Sequence, residues 1–389
     1  MRKPNWIPAI ILFTILILMI ARSMWQLKIL NEQNQIATQA ASQHSIIVGT
    51  INIIPDFLTR SELLNTPDTG MITHIVQGDY NPSDGDEIVV AGFKGASIYD
   101  ENLTNIKTIS YGPYTSYVNV VDVESDHIPE LMVRGSWSEA SSLLDNDGKV
   151  LWTAVEGDGI DDMAAGDTDG DGLLEFAVGH NGSTGVDLLD HKGNRLWNNA
   201  ETGNVWHIEI YDLNADGLGE IVHSCSMMAT IIMDGHGNII KKPSFFTSGV
   251  SLSEFQLIRW PDSKSDFHVI AYAHYQDGSS IVTVSDLDSQ VTAELKATGE
   301  INGDDTFGTL IKFKPNTPEY LAVLVPSPIY ASSNSALLLI YDNSGTLIFT
   351  DQISTNAKSI APVMLNDSAA LLVGSESLIY EYRLTENSQ

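Results

Sequence analysis

Asp167-Thr-Asp169-Gly-Asp171-Gly-Leu173-Leu-Glu175 places oxygen-bearing side chains at positions 1, 3, 5 and 9 of a nine-residue loop. That spacing suits a calcium ion. Hard cations take six to eight oxygens at about 2.3–2.6 Å, and a glycine-rich turn can fold alternate carboxylates and one backbone carbonyl, here that of Leu173, around one point. Carboxylates about 4 Å apart without a cation repel by roughly 4 kcal/mol per pair at an effective dielectric near 20. The loop is therefore expected to hold Ca²⁺.

Three more segments fit the same frame: Asp79, Asn81, Ser83, Gly85 and Glu87; Asp122, Glu124, Asp126, Ile128 and Glu130; Asp212, Asn214, Asp216, Leu218 and Glu220. A short apolar run follows each loop at once: Ile88-Val-Val, Leu131-Met-Val, Phe176-Ala-Val and Ile221-Val. Such runs read as buried strands that begin as the loop ends. An EF-hand opens in the same way but needs a bidentate Glu at position 12 and a helix on each side. Position 12 is Val178, Val133 or His223, so an EF-hand is excluded.

First positions at 79, 122, 167 and 212 lie 43, 45 and 45 residues apart. A period of about 40–50 residues with several short strands per unit marks the blade of a β-propeller. Within a unit, one strand leads into the acidic loop and a second leaves it. A third ends in Asp-x-x-Gly (Asp145 to Gly148, Asp190 to Gly193, Asp234 to Gly237), and a fourth follows through Trp152, Trp197 or Ile239-Ile240. Weaker copies at Trp260-Pro-Asp262 to Ile270, Lys314-Pro to Val323 and Leu365-Asn-Asp to Val373 continue the series, and Asp342 to Gly345 repeats the third-strand turn. The prediction is an all-β, seven-bladed propeller over residues 45–389. One strand is missing from the last unit, and the apolar run Ser45 to Ile54 is the expected donor that closes the ring and removes a free sheet edge.

The four loops resemble those of FG-GAP repeats, as in integrin alpha-subunit propellers, and of the related VCBS repeats of bacterial surface proteins. The resemblance spans residues 70–383 and is specific in four units. It implies bound Ca²⁺ and a binding or adhesion role. Ser83 stands where an Asp is usual, and the second loop has Glu124 and His127-Ile-Pro129 in place of Asp and Gly. Some rhamnogalacturonan lyases resemble this propeller as well, which makes a polysaccharide-active enzyme the alternative. A lyase needs a basic residue beside the substrate carboxylate, for which Arg134 and Lys94 are the candidates. No Gly-x-Ser-x-Gly, His-Glu-x-x-His or Gly-Lys-Ser/Thr motif is present.

Fifty acidic against 20 basic residues give a formal charge of −30. That balance, with no basic stripe, argues against nucleic acid. The single cysteine, Cys225, excludes an internal disulfide and reads as a small buried residue.

Residues 1–5 form a short tail, and residues 6–25 are almost entirely apolar, with Trp6 and Trp25 at the two ends. Nineteen helical steps cover about 28 Å, close to the ~30 Å hydrocarbon core, and Trp prefers both interfaces. The segment reads as a single membrane span. A cleaved signal peptide is the alternative, but a cut after Ala21 would put Met19 where a small residue is needed. Arg2, Lys3 and the terminal amine tilt the positive-inside count toward a cytoplasmic N-terminus, with the propeller extracellular or periplasmic. Residues 26–44 read as a stalk.

Function is expected on the face opposite the acidic loops, built from second-to-third-strand and interblade connections. Tyr111, Tyr114, Tyr117, Arg134, Trp137, His180, Asn181, His223, Phe245 and Phe246 fall there. Aromatics with a few polar groups suit a protein or carbohydrate ligand, and packing between blades is the bland alternative. Trp206-His207-Ile-Glu209 lies on a first strand near the axis and reads foremost as a satisfied core histidine.

Overall fold

The computed structural model describes residues 46–389 except 79, 81–84, 112–116, 135–137, 226–228, 242–254, 262–266, 277–278, 288–290, 299–305, 327–334 and 386–389. The second strand of a blade has a partner on both sides and a neighbouring blade on both faces. Accordingly Glu87–Gly92 and Glu175–His180 are buried at every position. Outermost strands have one partner and face solvent, and Asn105–Ser110 is mostly exposed.

Seven four-stranded antiparallel blades result. Blade 1 comprises Ile72–Gly78, Glu87–Gly92, Gly95–Tyr99 and Asn105–Ser110. Blade 2 runs through Tyr117–Val121, Glu130–Arg134 and Ser138–Leu144 into the long strand Val150–Gly166. That strand pairs through Val150 to Ile160 with blade 2 and through Ile160 to Gly166 with blade 3, so one segment is both outermost and innermost. Glu175–His180, Val186–Leu189 and Arg195–Asn199 complete blade 3. Blades 4, 5 and 6 start at Val205–Tyr211, Gln256–Arg259 and Phe307–Ile311, and blade 7 at Ala357–Leu365. The three weak repeats of the sequence are thus true blades.

The closing strand differs from expectation. Leu58–Asn65, not the run 45–54, pairs antiparallel with Leu378–Leu384 and becomes the outermost strand of blade 7. The apolar run lies across the rims of two other blades. Ile47 and Val48 pair in parallel with Ala293 and Glu294 on the outer strand of blade 5, and Ile51 bridges to Leu347 of blade 6. Gly49 is required in this crossing, because a Cβ there would sit 2.6 Å from the Gly345 carbonyl.

Apolar cores lie between blades. Phe176, Met163, Val178 and Leu143 pack blades 2 and 3 together, with Trp152 edge-on to Phe176 at 4.8 Å. Outer-strand tryptophans then latch onto the next blade's turn. Trp152 Nε1 donates to the His191 carbonyl (3.1 Å) and Trp197 Nε1 to the Gly235 carbonyl (2.8 Å).

Inner strands are linked by a second device, in which a polar side chain of one blade accepts a backbone N–H of an adjacent one. His74 Nδ1 takes Val120 N–H (3.0 Å), Asp162 Oδ2 takes Ile208 N–H (3.1 Å), and Gln77 Oε1 takes Met364 N–H (2.7 Å) across the seam between blades 7 and 1. Among the described residues no helix is long and apolar enough to cross a membrane. The expected span 6–25 and stalk 26–44 lie outside the described residues.

Candidate functional site

Loops two, three and four share one backbone template. The position 1 carboxylate takes two or three loop amides: Asp122 from Asp126 and His127, Asp167 from Asp169, Gly170 and Gly172, Asp212 from Asp216 and Gly217. Position 5 takes the position 7 amide in each, Asp126 from Ile128, Asp171 from Leu173 and Asp216 from Leu218. Position 9 takes the position 2 amide, Glu130 from Val123, Glu175 from Thr168 and Glu220 from Leu213. Glu87 makes the corresponding bond with Tyr80 N–H at 2.8 Å. Asp79, Asn81 and Ser83 of that first loop lie outside the described residues, and Gly85 has the left-handed φ of 100°. Acidic side chains therefore fold the loops before any cation is considered.

Positions 4 and 6 are left-handed in all three, occupied by Gly170 and Gly172 in loop three, Ala215 and Gly217 in loop four, and Ser125 and His127 in loop two. The last pair explains how a glycine-free segment keeps the shape, at a cost. A left-handed L-residue costs about 1–2 kcal/mol, partly offset by the entropy that glycine would lose. His127→Gly should therefore raise stability by about 0.5–1 kcal/mol, read as a higher urea midpoint at unchanged slope.

Cation fit separates the loops. In loop three, ligand atoms of Asp167, Asp169 and Glu175 lie within 4.8 Å of one another, the one such group of three acids among the described residues. One oxygen each of Asp169, Asp171 and Glu175 takes no hydrogen bond there. Burial first, then Asp169 and Asp171, push the Glu175 carboxyl above its usual range, a strain that a cation would relieve. Loop four differs at one atom, because Asn214 Nδ2 donates to Glu220 Oε1 at 2.8 Å and fills the oxygen that stays open on Glu175. In loop two, burial raises Glu130 to about 7, with Glu124, Asp126 and Asp122 adding to the shift. Of loops two to four, the donor set of loop three thus fits Ca²⁺ best.

Of the residues expected on the opposite face, His180 and His223 are buried, and Tyr111, Arg134 and Asn181 are half-buried. Tyr111 Oη donates to the Gly92 carbonyl, and His180 is buried against Asp187 (3.2 Å). His223 is buried with Nδ1 near the Ser224 carbonyl and, among the described residues, Nε2 without a partner. Asn181 uses its backbone N–H on the Gly159 carbonyl. Tyr114, Trp137, Phe245 and Phe246 lie outside the described residues, as does the side chain of Tyr117. His180 and His223 are buried because they lie on the second strands Glu175–His180 and Glu220–Cys225, which belong to the interblade core.

Burial pushes His223 down to about 4. Its ring stays neutral in the fold while the unfolded chain takes up a proton below about 6.5, so stability is lost as pH falls from there toward 4. His223→Leu removes both that loss and an unpaired buried nitrogen. It should stabilise by about 1–3 kcal/mol at pH 5 and flatten the acid limb of urea midpoint against pH.

The axis carries a network that spacing does not reveal. Asp162 of blade 3 accepts from Arg134 Nε of blade 2 (3.1 Å), His207 Nδ1 of blade 4 (2.6 Å) and the backbone amides of Met163 and Ile208. His207 Nε2 lies 3.2 Å from Glu209 and 3.0 Å from the Phe255 carbonyl. Burial opposes charge on His207, yet Asp162 and Glu209 outweigh it and hold the ring well above its ordinary value. Burial likewise raises Asp162, and Arg134 and His207 outweigh it in the other direction. These groups wall a cavity of about 370 Å³ on the axis. The sequence signal was Asp161-Asp162 in the middle of an apolar inner strand, with no hint of its partners 28 and 45 residues away.

No protein-family model matches the chain, and no curated protein matches it. Solved structures do. The crystal structure of BBS1N in complex with ARL6DN, soaked with lead, superposes with a TM-score of 0.57 at 12% identity, covering 84% of this chain and 97% of that one. Its mercury-soaked counterpart gives 0.60 at 10% identity, covering 86% and 99%. The chain is a seven-bladed β-propeller. At such identities the likeness is one of fold, and the site has to be argued from its own residues.

Proposed function

We propose that this chain is a protein-binding propeller braced by calcium, its acidic loops acting as repeats of the FG-GAP and VCBS kind, and held at a membrane by residues 6–25 with the propeller outside the cytoplasm. One observation carries the reading: the convergence of Asp167, Asp169 and Glu175 in a loop whose backbone is already shaped around them. A protein partner fits the neighbours, since BBS1N was crystallised with ARL6DN. The polysaccharide lyase alternative loses its chief candidate base, because Arg134 is engaged by Asp162 and the Asp161 carbonyl. Extracellular calcium modules bind at about 10⁻⁴–10⁻³ M, which suits a site outside the cytosol.

The test combines calcium titration with partner capture. Calcium should raise the melting temperature of the full chain and EDTA should reverse it. Asp167→Ala should weaken calcium binding at least tenfold, about 1.4 kcal/mol, in titration calorimetry. Proteins captured from membranes by the full chain should be retained in calcium and released by chelator. Identical melting in excess calcium and in EDTA would remove the brace from the reading. A chain that carbonate strips from membranes would remove the anchor.

A further inference from the structure

The axial cavity encloses about 370 Å³, within the ~300–1,000 Å³ typical of small-molecule sites and many times the ~30 Å³ share of one water. Part of its wall is charged, but those charges are closed on one another: Arg134 and His207 hold Asp162, and His207 also reaches Glu209. That cluster presents fixed dipoles, and Lys358 adds one further cation to the lining. The remaining polar wall is different in kind. Asn119 of blade 2, Gln256 of blade 5 and Ser359 of blade 7 line the same space, and their side chains form no hydrogen bond among the described residues. His74 of blade 1 joins them. Its Nδ1 accepts the Val120 N–H at 3.0 Å, which puts the ring proton of the neutral tautomer on Nε2. Burial lowers that ring to about 4, so it stays a neutral donor at pH 7. Phe307 adds an aromatic ring to the lining.

We propose that this cavity binds an uncharged, polyhydroxylated molecule of monosaccharide size. Hydroxyl groups both donate and accept, as do the amides of Asn119 and Gln256 and the hydroxyl of Ser359, while His74 Nε2–H adds a donor. The C–H face of a sugar ring matches Phe307. Other ligand classes fit less well. A cation would meet Arg134, His207 and Lys358, and an anion drawn to Lys358 would be opposed by Asp162, Glu209 and the net charge of −30 of the chain. An apolar ligand would strip water from four unpartnered polar groups and return no hydrogen bond to them. The inference rests on the axis alone and does not depend on the calcium loops or on a protein partner.

Saturation-transfer difference NMR tests it on the full chain, held in a detergent without a sugar headgroup. The neutral probes are glucose, galactose, mannose and myo-inositol, with glucuronate and glucosamine as charged controls. At least one neutral probe should respond more strongly than either charged one. Asn119→Leu and Gln256→Leu should each weaken its binding at least tenfold, with near-ultraviolet circular dichroism unchanged. Where one variant fails to fold, the other maps the site. Silence from all four neutral probes with folded wild-type protein overturns the proposal, as does unchanged affinity in a folded variant. A stronger response to glucuronate or glucosamine overturns the assigned chemical class.

Discussion

Asp162→Ala is expected to destabilise the propeller by about 3–5 kcal/mol, the range found when one member of a buried ion pair is removed and its partners are left uncompensated. The side chain is 7% exposed and is held by two cations and two backbone amides contributed by three blades. Loss of the carboxylate takes the shared counter-charge from Arg134 and His207, which are 15% exposed each and keep the Asp161 carbonyl and Glu209 respectively. Asp162→Asn keeps the shape and one acceptor but removes the charge, so it should cost less and release His207 to titrate nearer its ordinary value. The pH dependence gives a separate readout. His207 is raised, so its contribution is complete below about pH 6.5 and fades as pH rises through its folded value; Asp162 is lowered, so its contribution holds above about pH 4 and fades on further acidification. The stability gap between wild type and Asp162→Asn should therefore be widest between about pH 4 and 6.5 and narrow in alkali. Urea unfolding across that range measures it, and a gap independent of pH would mean that the network adds packing but no charge linkage.

Phe176→Ala should cost a similar amount, about 3–5 kcal/mol, by a different route. Phe176 is fully buried in the core between blades 2 and 3 and meets Trp152 edge-on at 4.8 Å. Truncation opens a cavity that strand backbones on both sides are too constrained to fill. Paired with Trp152→Ala, the cycle should show a coupling of about 0.5–1.5 kcal/mol beyond lost area, because the two rings touch. Chemical denaturation of the four proteins gives all the terms. Strict additivity would show that the ring contact contributes nothing beyond burial.

What sequence reading captured is what lies within one blade. An acidic loop is nine residues long, its position 1, 5 and 9 carboxylates take amides from inside it, and its 45-residue recurrence is visible as plain spacing. Even the decayed fifth to seventh units kept the order of apolar run, turn and apolar run. The closing strand was misplaced because hydrophobicity was the guide. Leu58-Thr-Arg-Ser-Glu-Leu-Leu-Asn65 is a rim strand with solvent on most of its side chains, whereas Ile46, Val48 and Ile51 lie exposed across the rim and look like a core strand. The axial network escaped for a related reason. Arg134, Asp162, His207 and Glu209 come from three consecutive blades, and only the packing of those blades brings them together.

Leu58–Asn65 has a consequence for synthesis. It is among the first propeller segments to leave a ribosome and among the last to find its partner, since Thr59 and Arg383, 324 positions apart, share one rung. Until Leu378–Leu384 has been made, that strand waits unpaired and blade 7 has no outer edge, so blades 1 to 6 must form as an open arc. Contacts of such long range slow folding, and a free edge invites pairing with another chain. The polar composition Thr-Arg-Ser-Glu, a poor lure for a stray strand, keeps the waiting segment soluble during that interval. Ring closure is therefore expected as the final step of folding, and a chain that stops before Leu378 should accumulate as an aggregation-prone arc rather than as a smaller propeller.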